Sequence, residues 1–215
     1  MIWDSWFFKD KEYSGDWKFY IEKDDMETNI LIFGDSIARW AWDYQKQWRV
    51  NRLREYTDTI RKKEKRFYMV YNLWISWEAS DWLVKRFDQE VLARNQWNEK
   101  LIIIIAIWSN DTFWKVDENR LSTELCDFEN NVKTLIQKSK KYTENIIFFG
   151  LTPVEESKTN SLPRVPNLAY KNSIIDDYNE LLKNICKLNN LDFFDIHKIF
   201  RSEEHTSELQ SLAYL

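Results

Sequence analysis

The sequence predicts an α/β domain of three layers, with a parallel five-stranded sheet covered by helices on both faces. Three observations lead there. Five short apolar runs recur along the chain, separated by charged stretches whose apolar residues return at helical spacing. The run Leu101–Ile107 is apolar throughout and mostly β-branched, as expected of a strand buried on both faces. The length of 215 residues suits one domain with a sizeable core.

In chain order, residues 1–25 mix aromatics and charges without sustained periodicity, and Met26 is a natural start just before the first strand. They are therefore expected to be an extension outside the native domain, which spans 26–200. The first strand, Asn29 to Phe33, ends at Gly34. A helix over about 41–63 offers Val50, Leu53 and Ile60 to the core, and Phe67 to Leu73 reads as the second strand. Leu83, Phe87 and Val91, four apart, give a helix over 79–94 one apolar face. After the third strand at Leu101–Ile107, a helix over about 121–141 carries Leu125, Phe128, Val132, Leu135 and Ile136 on one stripe. Ile146 to Leu151 is the fourth strand. The loop 152–168 holds all three prolines, and a helix over about 169–188 leads to a fifth strand at Leu191–Ile196. Right-handed crossovers would then make the sheet parallel.

Composition narrows the function. With 31 basic and 35 acidic residues the net charge is −4, against the basic excess a nucleic-acid surface needs. No apolar run approaches the roughly 20 residues of a membrane span, and the N-terminus shows no secretory signal. Cys126 and Cys186 read as buried thiols in a reducing, cytoplasmic setting. No cluster has metal-ligand spacing and no cofactor is expected. The oligomeric state is not readable.

In parallel sheets ligands bind at the carboxyl ends of strands. Three such ends carry compact polar groups: Gly34-Asp35-Ser36, the stretch Asn72 to Glu78, and Ser109-Asn110-Asp111. A serine at a strand-to-helix turn can be a nucleophile, and a backbone N–H with an Asn amide nearby can hold an oxyanion. Plainer readings stay open, since Asp-Ser also caps helices and Asn-Asp also makes turns.

Ile32-Phe33-Gly34-Asp35-Ser36-Ile37 resembles the first block of the SGNH hydrolases, the GDSL esterases and lipases. Asn72–Glu78 resembles their second block, and Ile107-Trp108-Ser109-Asn110-Asp111 their third. The resemblance implies a flavodoxin-like α/β/α sandwich and hydrolysis of small-molecule acyl esters or thioesters without metal or organic cofactor. It also implies Ser36 as nucleophile, with the Asn110 amide and the backbone N–H groups of Ser36 and Trp77 as oxyanion donors. Lipid, acetylated sugar and thioester all remain open as substrates.

Two departures from the family pattern matter. Glycine usually makes up about 7% of a chain, or roughly 15 residues here; this chain has 3 Gly and 12 Trp. Trp77 and Trp108 stand where the family has glycine, as do Trp40 and Trp74 on the same reading. The expected cause is UGA codons that the source lineage reads as glycine and a translation table wrote as tryptophan. A literal indole at 77 or 108 would crowd the site and resist φ > 0.

The second departure is the family's Asp-x-x-His-Pro block, which is missing. His197 follows the fifth strand immediately, too early for that block. His205 lies in Arg201–Ser211, a string that matches a translated sequencing-library adapter, so 201–215 is expected to be artefact. The chain is therefore expected to be a serine esterase with little or no turnover as written. The alternative is a non-catalytic flavodoxin-like binding or interaction module, in which Ser36 is only a cap. A phosphoryl-transfer domain using Asp35 is weaker, because no Gly-rich phosphate loop accompanies it. Sequencing the source locus checks these expectations. It should find UGA at codons 40, 74, 77 and 108 and an Asp-x-x-His-Pro block past codon 200; UGG codons and a stop after Leu215 would instead favour the binding module.

Overall fold

The computed structural model describes residues 27–36, 49–64, 66–96, 99–162 and 165–202. The expected extension at 1–25, Trp40, the start of the first helix and His205 lie outside the described residues. The strands are β1 (Thr28–Gly34), β2 (Tyr68–Asn72), β3 (Lys100–Ala106), β4 (Trp114–Lys115), β5 (Arg120–Leu121), β6 (Ile146–Phe149), β7 (Leu168–Ala169) and β8 (Asp192–Phe194). The longer helices are α1 (Arg49–Glu64), α2 (Ser80–Arg94), α3 (Leu125–Ser139), α4 (Asn172–Leu188) and α5 (Ile196–Ser202).

The five predicted strands form one sheet in the order β2-β1-β3-β6-β8, every pair parallel. Register is set by burial on alternate faces. Leu31 and Phe33 of β1 point with Leu101, Ile103 and Ile105 of β3 into one core. Helix α2 meets it through Leu83, Phe87 and Val91, α3 through Phe128, Val132, Leu135 and Ile136, and α4 through Ile175, Tyr178 and Leu182. Ile30 and Ile32 face the other way, with Val70, and Leu53 of α1 packs against them. Two covered faces give the three layers, and each large apolar side chain buried contributes about 1.5–3 kcal/mol.

The structure differs from the sequence reading in places. The helix expected over 121–141 begins only at Leu125, because residues 114–121 fold back as β4 and β5. Leu125 is consequently exposed on that first turn, whereas Phe128, Val132, Leu135 and Ile136 are buried as expected. The helix expected from 169 starts at Asn172, because Leu168 and Ala169 pair with β4. The thiol of Cys186 is buried, which pushes its pKa up to about 12. Cys126 is exposed, contrary to the expectation of two buried thiols.

Candidate active site

The carboxyl edge of the sheet brings the three predicted segments together. Gly34 lies opposite Ala106 and Ile32 opposite Asn72, so the chain leaves β1, β2 and β3 at one level. The ladder then runs past the end of β2: Leu73 N donates to Ile32 O (2.9 Å) and Ile75 N to Gly34 O (3.0 Å). This draws residues 73–78 alongside Asp35, which is buried, and Ser36, which is half-buried at a helical start. The third segment joins through Asn110, 5% exposed, whose Nδ2 donates to Glu78 O at 2.8 Å. Trp77 occupies the turn at φ 64°, and its ring stacks on Phe113 at 5.9 Å. Trp77 and Asn110 line one cleft of about 590 Å³; Ser36 is not among the side chains lining it.

An ion pair on a buried carboxylate holds the turn from beneath. Arg86 of α2 meets Glu78 side-on, Nε to Oε1 and Nη2 to Oε2, each at 2.5 Å, and Nη2 also donates to Leu73 O at 2.6 Å. One guanidinium thus grips both ends of the segment 73–78 in the fork geometry arginine favours. Burial raises the Glu78 pKa, and the hydrogen bond and charge of Arg86 oppose that rise.

Helix α2 follows directly, and the residue before it, Ala79, has no side chain able to cap it. Asp111 supplies the cap from the turn after β3. Its oxygens accept from Ser80 N (3.0 and 3.2 Å) and from Ser80 Oγ (2.6 Å), while Asn131 Nδ2 donates to the same hydroxyl at 2.9 Å. Such a carboxylate satisfies helix-terminal N–H groups and suits the dipole. Complete burial nevertheless pushes the Asp111 pKa up to about 7, and the charge of Asp35 adds to the rise. Tyr170, stacked on Phe113 at 4.5 Å, has its phenol raised by burial and by the same Asp35 charge. The sequence reading assigned no role to Arg86, Phe113 or Tyr170; no motif marks them, and only contacts between distant segments bring them in.

His197 is not brought to Ser36. It opens α5 just after β8, the edge strand three positions from β1, or about 14 Å across the sheet. Its Nε2 lies 2.8 Å from Asp176 Oδ1. Among the described residues no group of His, Cys, Asp and Glu could hold a metal ion.

A GDSL-like lipase/acylhydrolase family model matches residues 32–212. The chain belongs to that family. Its fold is similar to that of a lipase/acylhydrolase from Enterococcus faecalis, at 18% identity over 84% of this chain and 82% of that one, TM-score 0.62. It is likewise similar to the acetyl xylan esterase AlAXEase (19% identity, 85% and 84% covered, TM-score 0.61). A variant of Axe2, an acetyl xylan esterase from Geobacillus stearothermophilus, follows at 19% identity, 83% and 80% covered, TM-score 0.59. A search of curated proteins returns no match.

The two tryptophans expected at glycine positions of the family behave differently here. Trp77 does sit at positive φ, a conformation that costs a non-glycine residue roughly 1–2 kcal/mol. Trp108 does not: its φ is −152°, and its indole enters the core instead of crowding the site. There it stacks on Phe148 at 5.8 Å, meets Phe128 edge-on at 5.4 Å, and donates Nε1–H to Phe149 O at 2.8 Å. The two positions should therefore respond oppositely to glycine. In urea unfolding, Trp108→Gly is expected to lose about 3–5 kcal/mol to the cavity it leaves, and Trp77→Gly to be neutral or to gain up to about 1 kcal/mol. Equal losses at both would show that Trp77 carries no strain.

Asp111 gives a pH signature. The unfolded chain ionises this group near its ordinary value of 3.8 and the folded chain near 7. Between those values the folded state holds the extra proton, so this contribution to stability falls as pH rises. Asp111→Asn removes the titration. The stability of Asp111→Asn relative to wild type should rise from about pH 4 to about pH 7 and level off above; a flat difference would refute the shift.

Proposed function

We propose that the chain is built to cleave small-molecule acyl esters through an acyl-serine intermediate on Ser36. The observation that carries this reading is the Asn110 Nδ2 to Glu78 O bond, which ties a side-chain amide to the left-handed turn beside the Ser36 segment. Ser36 Oγ would attack the acyl carbonyl and give up its proton to a base. The oxyanion would take hydrogen bonds from the second N–H of Asn110, from Ser36 N–H and from Trp77 N–H, each worth about 3–4 kcal/mol. Trp77 N–H has no backbone acceptor among the described residues. Collapse expels the alcohol and leaves acyl-Ser36, which water hydrolyses.

The proton acceptor is what this reading lacks. Among the described residues His197 is the one histidine, and it stands beside Asp176 at the far edge of the sheet. Both acylation and deacylation need general-base help, so we expect negligible turnover from this chain. The native domain at 26–200, the flanking non-native stretches and a cytoplasmic location belong to the same proposal; the free thiols of Cys126 and Cys186 support a reducing compartment. Among the described residues no helix is long and apolar enough to cross a membrane.

The lack of a base among the described residues equally favours a non-catalytic binding module, and one experiment separates the two. Incubated with 4-nitrophenyl acetate and imidazole as a diffusible base, the chain should slowly acquire an acetyl group on the peptide containing Ser36, and Ser36→Ala should not. No acetylation would favour the binding module. Sustained hydrolysis without imidazole, abolished in Ser36→Ala, would overturn the expected inactivity.

A further inference from the structure

The cleft that Trp77 and Asn110 share runs away from them between the first turns of α2 and α3. Its volume of about 590 Å³ is within the range of small-molecule sites. Polar and apolar surface share its walls about equally. Asp127, Asn130 and Asn131, three and four apart on α3, turn one helical face toward it. Arg120, Ser122 and Thr123 face them from β5 and the connection that follows, and Asp81 closes the end at α2. The apolar residues that line it are Ala79, Trp77 and Trp82, the last two 47% and 56% exposed.

We propose that this cleft binds a neutral carbohydrate, the alcohol half of the ester whose acyl carbonyl lies at Asn110. The proposal rests on the ester-cleaving reading above and names its substrate class. A long acyl chain would match only the apolar half of these walls and would strip water from the carboxylates and amides of the other half without replacing their hydrogen bonds. An anionic partner, such as an acyl-coenzyme A or a phospholipid headgroup, would meet Asp81, Glu124 and Asp127 against the single guanidinium of Arg120. A polyhydroxylated ring carries no charge and offers donors and acceptors on every edge, matching this mixture of carboxylates, amides and hydroxyls. Its C–H faces suit exposed indoles.

Binding tests this without any turnover. Unesterified xylotetraose and chitotetraose, titrated into the full chain by calorimetry, are the probes, with decanoyl-coenzyme A as the anionic acyl competitor. At least one sugar should bind saturably, with Kd of about 1 mM or tighter, and bind Ser36→Ala equally well. Asp127→Ala and Asn130→Ala, both folded by circular dichroism, should each weaken it about tenfold through lost hydrogen bonds. Binding of decanoyl-coenzyme A in preference to both sugars would overturn the proposal. So would absence of sugar binding at concentrations well above millimolar, or sugar binding indifferent to both substitutions. Any of these results together with acetylated Ser36 would leave the ester-cleaving reading standing, and sugar binding without acetylation would sink that reading alone.

Discussion

One half-buried cation organises the carboxyl edge of this sheet. Arg86 reaches from the second turn of α2 to the side chain of Glu78 and to the carbonyl of Leu73, so the two ends of the segment 73–78 are fixed to one rigid group. A turn of this length would otherwise be among the softest parts of the molecule. Removing Arg86 would leave the buried Glu78 carboxylate without its partner, which costs about 3–5 kcal/mol. The pair therefore acts less as a source of stability than as a constraint. With it in place, Glu78 O has a fixed position, Asn110 has a fixed acceptor, and the polar groups at three strand ends share one geometry.

That geometry is held by groups of two kinds. Ladder bonds from Leu73 and Ile75 to β1 set the height of the turn above the sheet. Side-chain bonds from Asn110 and Asp111, on the turn after β3, set its lateral position and start α2. Each half depends on the pairing of β1 with both β2 and β3, and so on the alternation that sends Leu31 and Phe33 to one face and Ile30 and Ile32 to the other. A slip of one residue in β1 would reverse those faces and lose both the core and the turn.

What was legible in the sequence follows from range. Strand runs and helical stripes are local patterns, and they located all five strands of the parallel sheet. The polar strand ends were legible too, because the fold class itself says where ligands bind. Interactions that join distant segments left no such trace. Phe113 and Tyr170 are 57 positions apart by their numbering, yet they stack because β4 and β7 pair. Two-residue strands such as β4, β5 and β7 are too short for periodicity to announce, and they displaced the expected starts of α3 and α4. Arg86 looked like any charge on an amphipathic helix until the fold placed a buried carboxylate beneath it.

The tryptophans show why folding and chemistry can part company in this chain. A core accepts a large side chain when its neighbours can enclose it, and Trp108 finds two phenylalanine rings and a carbonyl for its indole N–H. At Trp77 the cost is confined to one exposed turn and amounts to roughly 1–2 kcal/mol, small beside the 5–15 kcal/mol of a typical domain. Neither indole obliges the sheet to rearrange. An oxyanion site is less forgiving, because a misplacement of about 1 Å in a donor can cost two orders of magnitude in rate. An indole at position 77, stacked on Phe113 and lining the cleft, sits at the proposed oxyanion donor, where such a shift would be felt first. The same residue that the fold tolerates is therefore the one to which catalysis would be most exposed.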